Sequence, residues 1–471
     1  MKILLIDPPY SSADTGGSKR NFGRVINKIP SLGLGYLAAV LEKAGHRVSI
    51  VDCAIDFDES GLIGFARGFG PDIVGFTSTT PVFGNALRLA RRLRLACPSA
   101  LFVCGGAHAT ADPEGTLREN DFDIAAIGEG EESFLELANA WRNGGMEHVH
   151  SVKGIAFRSN GSVVSTGRRG RIADLDALPF PARHLFAPLE RYRPTPASYR
   201  RLPLGVVMTS RGCPSGCVFC DRAVFGEELR LRDPAKVLEE VEELVSKDGA
   251  REIRFFDDTF TFDRAHAEAI CEGMRTRARP VPWTCLTRVT NVDREMLAMM
   301  RRSHCWQVLF GLESGDDGIL ARIGKGTTVE QNRKAVLWAH EAGLSVRADF
   351  LVGTPWETPR TLAKTLAFAK SLPLDMAHFN KFVPYPGTAI YRSLVREGRK
   401  LEFDNGSYIN NHCQFDYVPD GLDVPGYVSF LNRSYKEFYL RPSYLARRLM
   451  SLRSFDELRG HIDGFFSIVS L

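Results

Sequence analysis

Three closely spaced cysteines limit this chain's options more than any other stretch. The run Ser210-Arg211-Gly212-Cys213-Pro214-Ser215-Gly216-Cys217-Val218-Phe219-Cys220 sets them at C-x3-C-x2-C spacing, directly after the apolar run Leu204 to Met208. Three thiolates on one short loop can hold three irons of a 4Fe–4S cluster, a group that usually takes four cysteines; the fourth iron would stay free for a small molecule. Gly212 and Gly216 let the loop fold tightly, because glycine accepts backbone angles closed to other residues. Two plainer readings compete: neighbouring buried thiols, or a zinc knuckle. Zinc asks for four ligands in paired C-x2-C style, and no fourth cysteine or histidine follows nearby. The spacing assigns Cys213, Cys217 and Cys220 to an iron–sulfur cluster.

A chain of 471 residues exceeds one ordinary core and suggests about three domains. With 44% hydrophobic and 25% charged residues it reads as globular, with a large core and little disorder. Ten cysteines behind an N-terminus without a cleavage pattern point to a reducing cytoplasm, not a disulfide framework. No apolar run reaches the ~18–20 residues that cross a bilayer. A formal charge of +4 is too small to imply nucleic acid.

Residues 1–145 alternate short strands with helices. Strands are expected at Lys2–Asp7, Arg47–Val51, Ile73–Thr77, Leu101–Cys104 and Ile124–Ile127, and helices at Leu34–Ala44, Val82–Ala96 and Glu131–Trp141. That order specifies a doubly wound parallel α/β sheet, whose ligands sit beyond the carboxyl ends of the strands. Those ends are small and polar: Ser78-Thr79-Thr80, Gly105-Gly106-Ala107-His108 and Gly128-Glu129-Gly130-Glu131. Small residues admit a flat, bulky ligand to the backbone, although a nucleotide site or an empty structural domain fits the same pattern.

Residues 146–203 read as a linker. It opens with a hairpin, Gly154–Phe157 and Ser162–Ser165 joined at Asn160-Gly161, a strong turn pair. The Pro-punctuated stretch Asp174–Arg183 is expected to pack along the next domain. From 204 to 395 six strand–helix units follow, with strands at Leu204–Thr209, Glu252–Phe256, Trp283–Thr287, Val308–Phe310, Val346–Val352 and Ala377–Phe382. Six parallel units fit a partial (βα)6 barrel, whose chemistry belongs at the carboxyl ends of its strands. Asp257-Asp258, Arg288, Gly311-Leu312-Glu313-Ser314-Gly315, Gly353–Thr358 and Tyr385 fall there. Asp257 and Asp258 could equally cap a turn, Glu357 a helix, and Tyr385 and Phe219 could be packing residues. Cys271, Cys285, Cys305 and Cys413 read as idle thiols.

Cys213, Cys217 and Cys220 match the signature of the radical S-adenosylmethionine superfamily, and the sequence around them resembles its cobalamin-binding branch over approximately residues 1–395. The resemblance implies a Rossmann-like cobalamin domain ahead of a barrel that carries the cluster. It implies three cofactors: a 4Fe–4S cluster, S-adenosylmethionine and cobalamin. It nominates Asp258, Arg288, Glu313 and Ser314 for S-adenosylmethionine, and Ser78, Thr79, Gly105, Gly106, His108, Gly128 and Glu129 for cobalamin. No Asp-x-His-x-x-Gly motif is present, so no histidine is nominated as lower cobalt ligand. The implied activity is cleavage of S-adenosylmethionine to a 5′-deoxyadenosyl radical and methyl transfer to an unactivated carbon of a lipid or secondary metabolite. A cyclase, ring-contraction or oxidation enzyme of the same branch, or a non-catalytic sensor, are the alternatives. A reducing partner such as flavodoxin or ferredoxin is implied too.

Residues 396–471 are expected to be a helical extension. Residues 431–460 hold seven Lys/Arg against three Asp/Glu, and Phe438–Leu458 has Leu, Tyr and Arg at helical spacing. Such a helix either packs on the barrel or lies on an acidic membrane surface, making the enzyme membrane-peripheral.

Overall fold

Strands β1 (Lys2–Asp7), β2 (Arg47–Asp52), β3 (Ile73–Thr77), β4 (Leu101–Gly105) and β5 (Ile124–Ala126) build the first sheet of this computed structural model. It describes residues 1–10, 27–55, 57–195, 198–401 and 417–451. The strands are parallel in the order β2-β1-β3-β4-β5. In β1, Ile3 and Leu5 enter the core on one face while Leu4 and Ile6 enter the other, all four fully buried. A strand covered by helices on both sides must be apolar on both.

The helix Glu59–Phe69 was not legible in the sequence. Gly61, Gly64 and Gly68 dilute its propensity by up to ~1 kcal/mol each. It forms because Asp58 caps it, accepting from the N–H groups of Ser60 and Gly61, because Gly70 ends it at φ 62°, and because Leu62 and Ala66 are buried. The hairpin expected within the linker, β6 (Ile155–Ser159) and β7 (Ser162–Ser165), instead continues the first sheet, with β6 antiparallel to β5. Asn160 (φ 51°) and Gly161 (φ 80°) make its turn.

The second sheet is a partial barrel. Its strands β8 (Leu204–Val207), β11 (Glu252–Phe255), β12 (Trp283–Thr287), β13 (Cys305–Glu313), β14 (Ser345–Val352) and β15 (Met376–Lys381) pair in chain order, all parallel. Between β8 and β11 a two-stranded ribbon, β9 (Ser210–Arg211) and β10 (Arg230–Leu231), closes the cysteine loop. The linker lies along the barrel: Arg183 donates to Val206 O at 2.9 Å and to Glu240 Oε1 at 2.5 Å, beside the Arg232–Glu240 pair.

The outer edge of β15 is closed by a helix, Val424–Tyr439. Tyr439 and Tyr435, four residues apart and so on one face, turn their hydroxyls to the N–H and carbonyl groups of Ala377 and Phe379. An exposed strand edge is thereby covered. The single helix expected over Phe438–Leu458 is two helices: the chain turns at Leu440 and Arg441, and Pro442 opens a second, Pro442–Ser451. Proline lacks the N–H an interior position needs and suits a first turn. Arg441, Tyr444 and Arg447 donate to the carbonyls of Lys370, Asp375 and Leu374, so these side chains bind the barrel. Residues 452–458 of the expected helix, and Cys413, lie outside the described residues. No helix among the described residues is long and apolar enough to cross a membrane.

Candidate active site

The cysteine loop leaves β9 through Gly212, whose φ of 93° and contact with the Glu228 carbonyl leave no room for a side chain. Cys213 N–H donates to Gly226 O at 3.1 Å, Val218 N–H to Ile323 O at 3.0 Å, and Arg222 to Ser215 O at 2.7 Å. Cys217 is buried, Cys213 half-buried and Cys220 exposed. Cys220 meets solvent yet is ringed by enough protein that burial, then the Asp258 carboxylate, then Cys217 and Cys213 push its thiol up to about 12. The Cys220 thiolate would therefore meet the negative charges of Asp258, Cys217 and Cys213. A positively charged iron–sulfur core would relieve that repulsion, so the loop fits the group. A cube meets each thiolate at a different iron, so its ligands stand apart; among the described residues no three His, Cys, Asp or Glu side chains converge as on a single ion. Phe219 is half-buried and packs against the clusters around Ile323 and Phe382.

Of the residues nominated for S-adenosylmethionine, Asp258 and Arg288 lie beside the cysteines. Asp258 is open to solvent yet ringed by enough protein to raise its carboxyl, as expected of a group lining a cleft. Arg288 donates to Cys217 Sγ at 3.4 Å and to Lys325 O. Glu313, at φ 62°, pairs with Lys325 Nζ at 2.8 Å; a non-glycine residue in that region is uncommon and marks strain. Lys325, unremarked in the sequence, thus joins Glu313 to Arg288. Ser314 is drawn away from the cleft: it is fully buried, shares a hydrogen bond with Thr365 Oγ1 at 3.2 Å and accepts from Asp316 N–H. Asp257 braces the β8 loop, accepting from Thr209 and Ser210. Glu357 is buried and folds its own loop, accepting from Gly353 and Thr354 N–H, while Thr358 caps the following helix.

On the other sheet the nominated loops do gather at the carboxyl edge. Gly106, at φ 91°, is pressed against Ser78, where a Cβ would sit 2.9 Å from the Ser78 carbonyl; Gly105 accepts from Ser78 N–H. Thr79 is exposed, and nothing stands within 4 Å of the place a Gly128 Cβ would take. The strand ends therefore present an open backbone surface that a flat macrocycle could meet. His108 is buried, bonded through Nδ1 to Thr80 Oγ1 at 3.2 Å and stacked on Phe83. Burial holds its pKa down to about 4, and its Nε2 is without a partner among the described residues. Such a nitrogen is neutral near pH 7 and suits a bond to a polar ligand group, so the loop fits cobalamin.

Asp7 and Asp52, register partners on β1 and β2, stand at the same edge. Burial, then Asp52, push the Asp7 carboxyl up from 3.8 to about 8. A folded-state value raised above the unfolded one contributes stability present below about pH 4 and lost as pH rises through 8, at up to ~1.4 kcal/mol per pH unit. Asp7→Asn is therefore expected to be more stable than the parent at pH 8, with a flatter decline between pH 5 and pH 8, measured by urea midpoints.

Glu129 is engaged within the protein: Oε1 accepts from Arg211 and Oε2 from Arg230, each at 2.7 Å, and Oε2 also from Ile172 N–H at 3.1 Å. Arg211 pairs with Glu131 as well, at 2.7 Å. All four side chains are at least nine-tenths buried. Two carboxylates from the end of β5 thus neutralise two guanidiniums of the β9–β10 ribbon, one of them two residues before Cys213. Asp221 of the cysteine loop and Ala111 of the segment after β4 each pack against Gly387 at the top of the barrel.

The two sheets are tied together where their carboxyl edges meet, through Arg211, Glu129 and Glu131 and through Gly387, and one of them carries the three-cysteine loop. The family model of the radical SAM superfamily matches residues 207–369 and that of the B12 binding domain residues 21–138. The chain is 33% identical to the uncharacterized methyltransferase PH0819 of Pyrococcus horikoshii, over 97% of this chain and 96% of that protein. It is 29% identical to the anaerobic magnesium-protoporphyrin IX monomethyl ester cyclase of Cereibacter sphaeroides, over 94% of this chain and 71% of that protein. The solved methyltransferase TsrM of Kitasatospora setae, with cobalamin and a 4Fe–4S cluster bound, shares the fold: TM-score 0.68, 20% identity, 84% of this chain and 78% of that one. This chain belongs to the cobalamin-binding radical S-adenosylmethionine enzymes. Its cofactors are a 4Fe–4S cluster, S-adenosylmethionine and cobalamin.

Proposed function

We propose that this enzyme transfers a methyl group to an unactivated carbon of a small organic substrate, a lipid or a secondary metabolite, held at the top of the barrel. The observation that supports this most is a contact: the cysteine loop and the segment after β4 both pack against Gly387 of the last barrel loop, a closeness that favours both metal cofactors serving one substrate. The near full-length match to a protein named as a methyltransferase favours methyl transfer. When bound, these cofactors supply a 5′-deoxyadenosyl radical that takes hydrogen from carbon, and a methyl group to replace it. The protein holds and shields. Cys213, Cys217 and Cys220 hold three corners of the cluster. Arg288, fixed by the Lys325 carbonyl, offers positive charge at Cys217 for a carboxylate, and Asp258 offers negative charge for an ammonium. Phe219, Leu351 and Phe382 line the cavity and keep water from the reacting carbon.

The cyclase reading stands second, on the relatives of that name at 29–30% identity. Anaerobic incubation of the cofactor-loaded chain with dithionite, methyl-deuterated S-adenosylmethionine and a metabolite extract separates the two. Methyl transfer gives a product that keeps the whole labelled methyl group. A new product without label would overturn that reading in favour of the cyclase, and no 5′-deoxyadenosine at all would leave only a sensor.

A further inference from the structure

Along β14 burial alternates through the whole strand. Val346, Ala348, Phe350 and Val352 are buried, whereas Ser345, Arg347, Asp349 and Leu351 are half-buried. A closed eight-stranded barrel fills its inward positions with packed side chains. Six strands close no such ring, and at the carboxyl end of this barrel lies a cavity of about 240 Å³ lined by Phe219, Leu351, Asn380, Lys381 and Phe382; the floor lies below it, at the amino ends of the strands. The floor is charged. Arg254 of β11 stands level with Thr284, and Arg347 with Leu309 one layer up.

The two guanidiniums are not equally matched. Arg347 shares Asp349 Oδ1 (3.4 Å) and His378 Nδ1 (3.0 Å). Arg254 has no ion pair among the described residues; it donates to the Ser198 carbonyl and, at 3.4 Å, to Thr284 Oγ1. The nearest acid on its strand, Glu252, accepts from Arg200 N–H, Arg201 N–H and Trp306 Nε1 at 2.7–2.9 Å. Burial, then Arg347, lower the Arg254 pKa to about 10, as expected of cations facing each other across a confined space.

We infer that the lumen floor receives an anionic oxygen group of the substrate, carboxylate or phosphate, between Arg254 and Arg347, while the carbon to be attacked lies at the roof among Phe219, Leu351 and Phe382. This rests on the lumen being the substrate site of the proposed reaction. Four residues of β14 separate floor from roof, roughly 10–13 Å at strand rise and barrel tilt. The substrate is thus an elongated or flat amphiphile, anionic at one end and apolar at the other.

Calorimetry on the anaerobic, cofactor-loaded full chain tests this with octanoate, octyl phosphate and octanol. Both anions, or one of them, are expected to bind at least about ten-fold tighter than octanol, and the tighter anion names the group. Arg254→Gln is expected to abolish that preference at unchanged iron and cobalt content. Should that variant not accumulate, Arg254→Lys is expected to weaken the preference part way, since lysine lacks the guanidinium fork. Octanol binding as tightly as the anions, no binding of either anion, or a preference untouched by these substitutions would overturn the inference. Labelled methyl product without anion preference sinks this inference alone; anion preference with unlabelled product sinks the methyl-transfer reading alone.

Discussion

Cys217→Ala is expected to strip the protein of iron and of S-adenosylmethionine cleavage together, while cobalamin binding survives. Loss of a group that merely supports a metal ligand costs ~10–100-fold in affinity, and removal of one of three protein ligands must exceed that. Cys217 is also the buried cysteine and the one touched by Arg288, so no solvent-borne thiol replaces it easily. Arg288→Met serves as the graded comparison. It removes a charged donor to Cys217 Sγ but no ligand, so iron should remain and the reduced cluster's EPR signal should move. Iron content, EPR after dithionite and 5′-deoxyadenosine by chromatography read all three effects. An EPR signal in Cys217→Ala indistinguishable from the parent's would sink the three-corner assignment.

Sequence alone carried the fold and part of the site, for physical reasons that individual residues make plain. Strands such as Lys2–Asp7 were legible because burial on both faces demands an apolar run, and helices such as Pro234–Ser246 because proline marks the start. The Glu59–Phe69 helix was hidden by its glycines, and the break at Pro442 by an apolar spacing that runs through it. The placement of Asp258 and Arg288 beside the cysteines was legible because both end barrel strands, where such loops gather. The ion pairs of Glu129 were hidden: its position at a strand end is that of a ligand contact, but the arginines it binds lie 82 and 101 residues away. Nothing local announces a partner that distant. The inward arginines of β11 and β14 were invisible likewise, since which face of a strand looks into a lumen depends on register with its neighbours.

Arg211→Met is the second large effect expected, and it bears on how two cofactors are held at a fixed distance. Arg211 answers Glu129 and Glu131 together, and Arg230 answers Glu129 alone. Without Arg211 the site keeps two carboxylates and one guanidinium, all desolvated. An uncompensated buried charge of this kind costs ~3–5 kcal/mol, which would appear as an earlier urea transition and as cobalamin lost on gel filtration. Removing Glu131 as well restores the balance: Arg211→Met with Glu131→Gln leaves one pair, Arg230 with Glu129, and should recover most of the stability. Tyr36 and Phe225, which flank the guanidinium at 5.1 and 5.2 Å, would pack against the methionine. Recovery of stability does not require recovery of geometry. The double variant, folded but without the tie from β5 to the residue two before Cys213, should bind both cofactors and still transfer methyl groups more slowly than it cleaves S-adenosylmethionine. A double variant no more stable than Arg211→Met would show that charge balance is not what Arg211 supplies. One that folds and keeps the parent's ratio of methylation to cleavage would show that the tie does not set the distance between the cofactors.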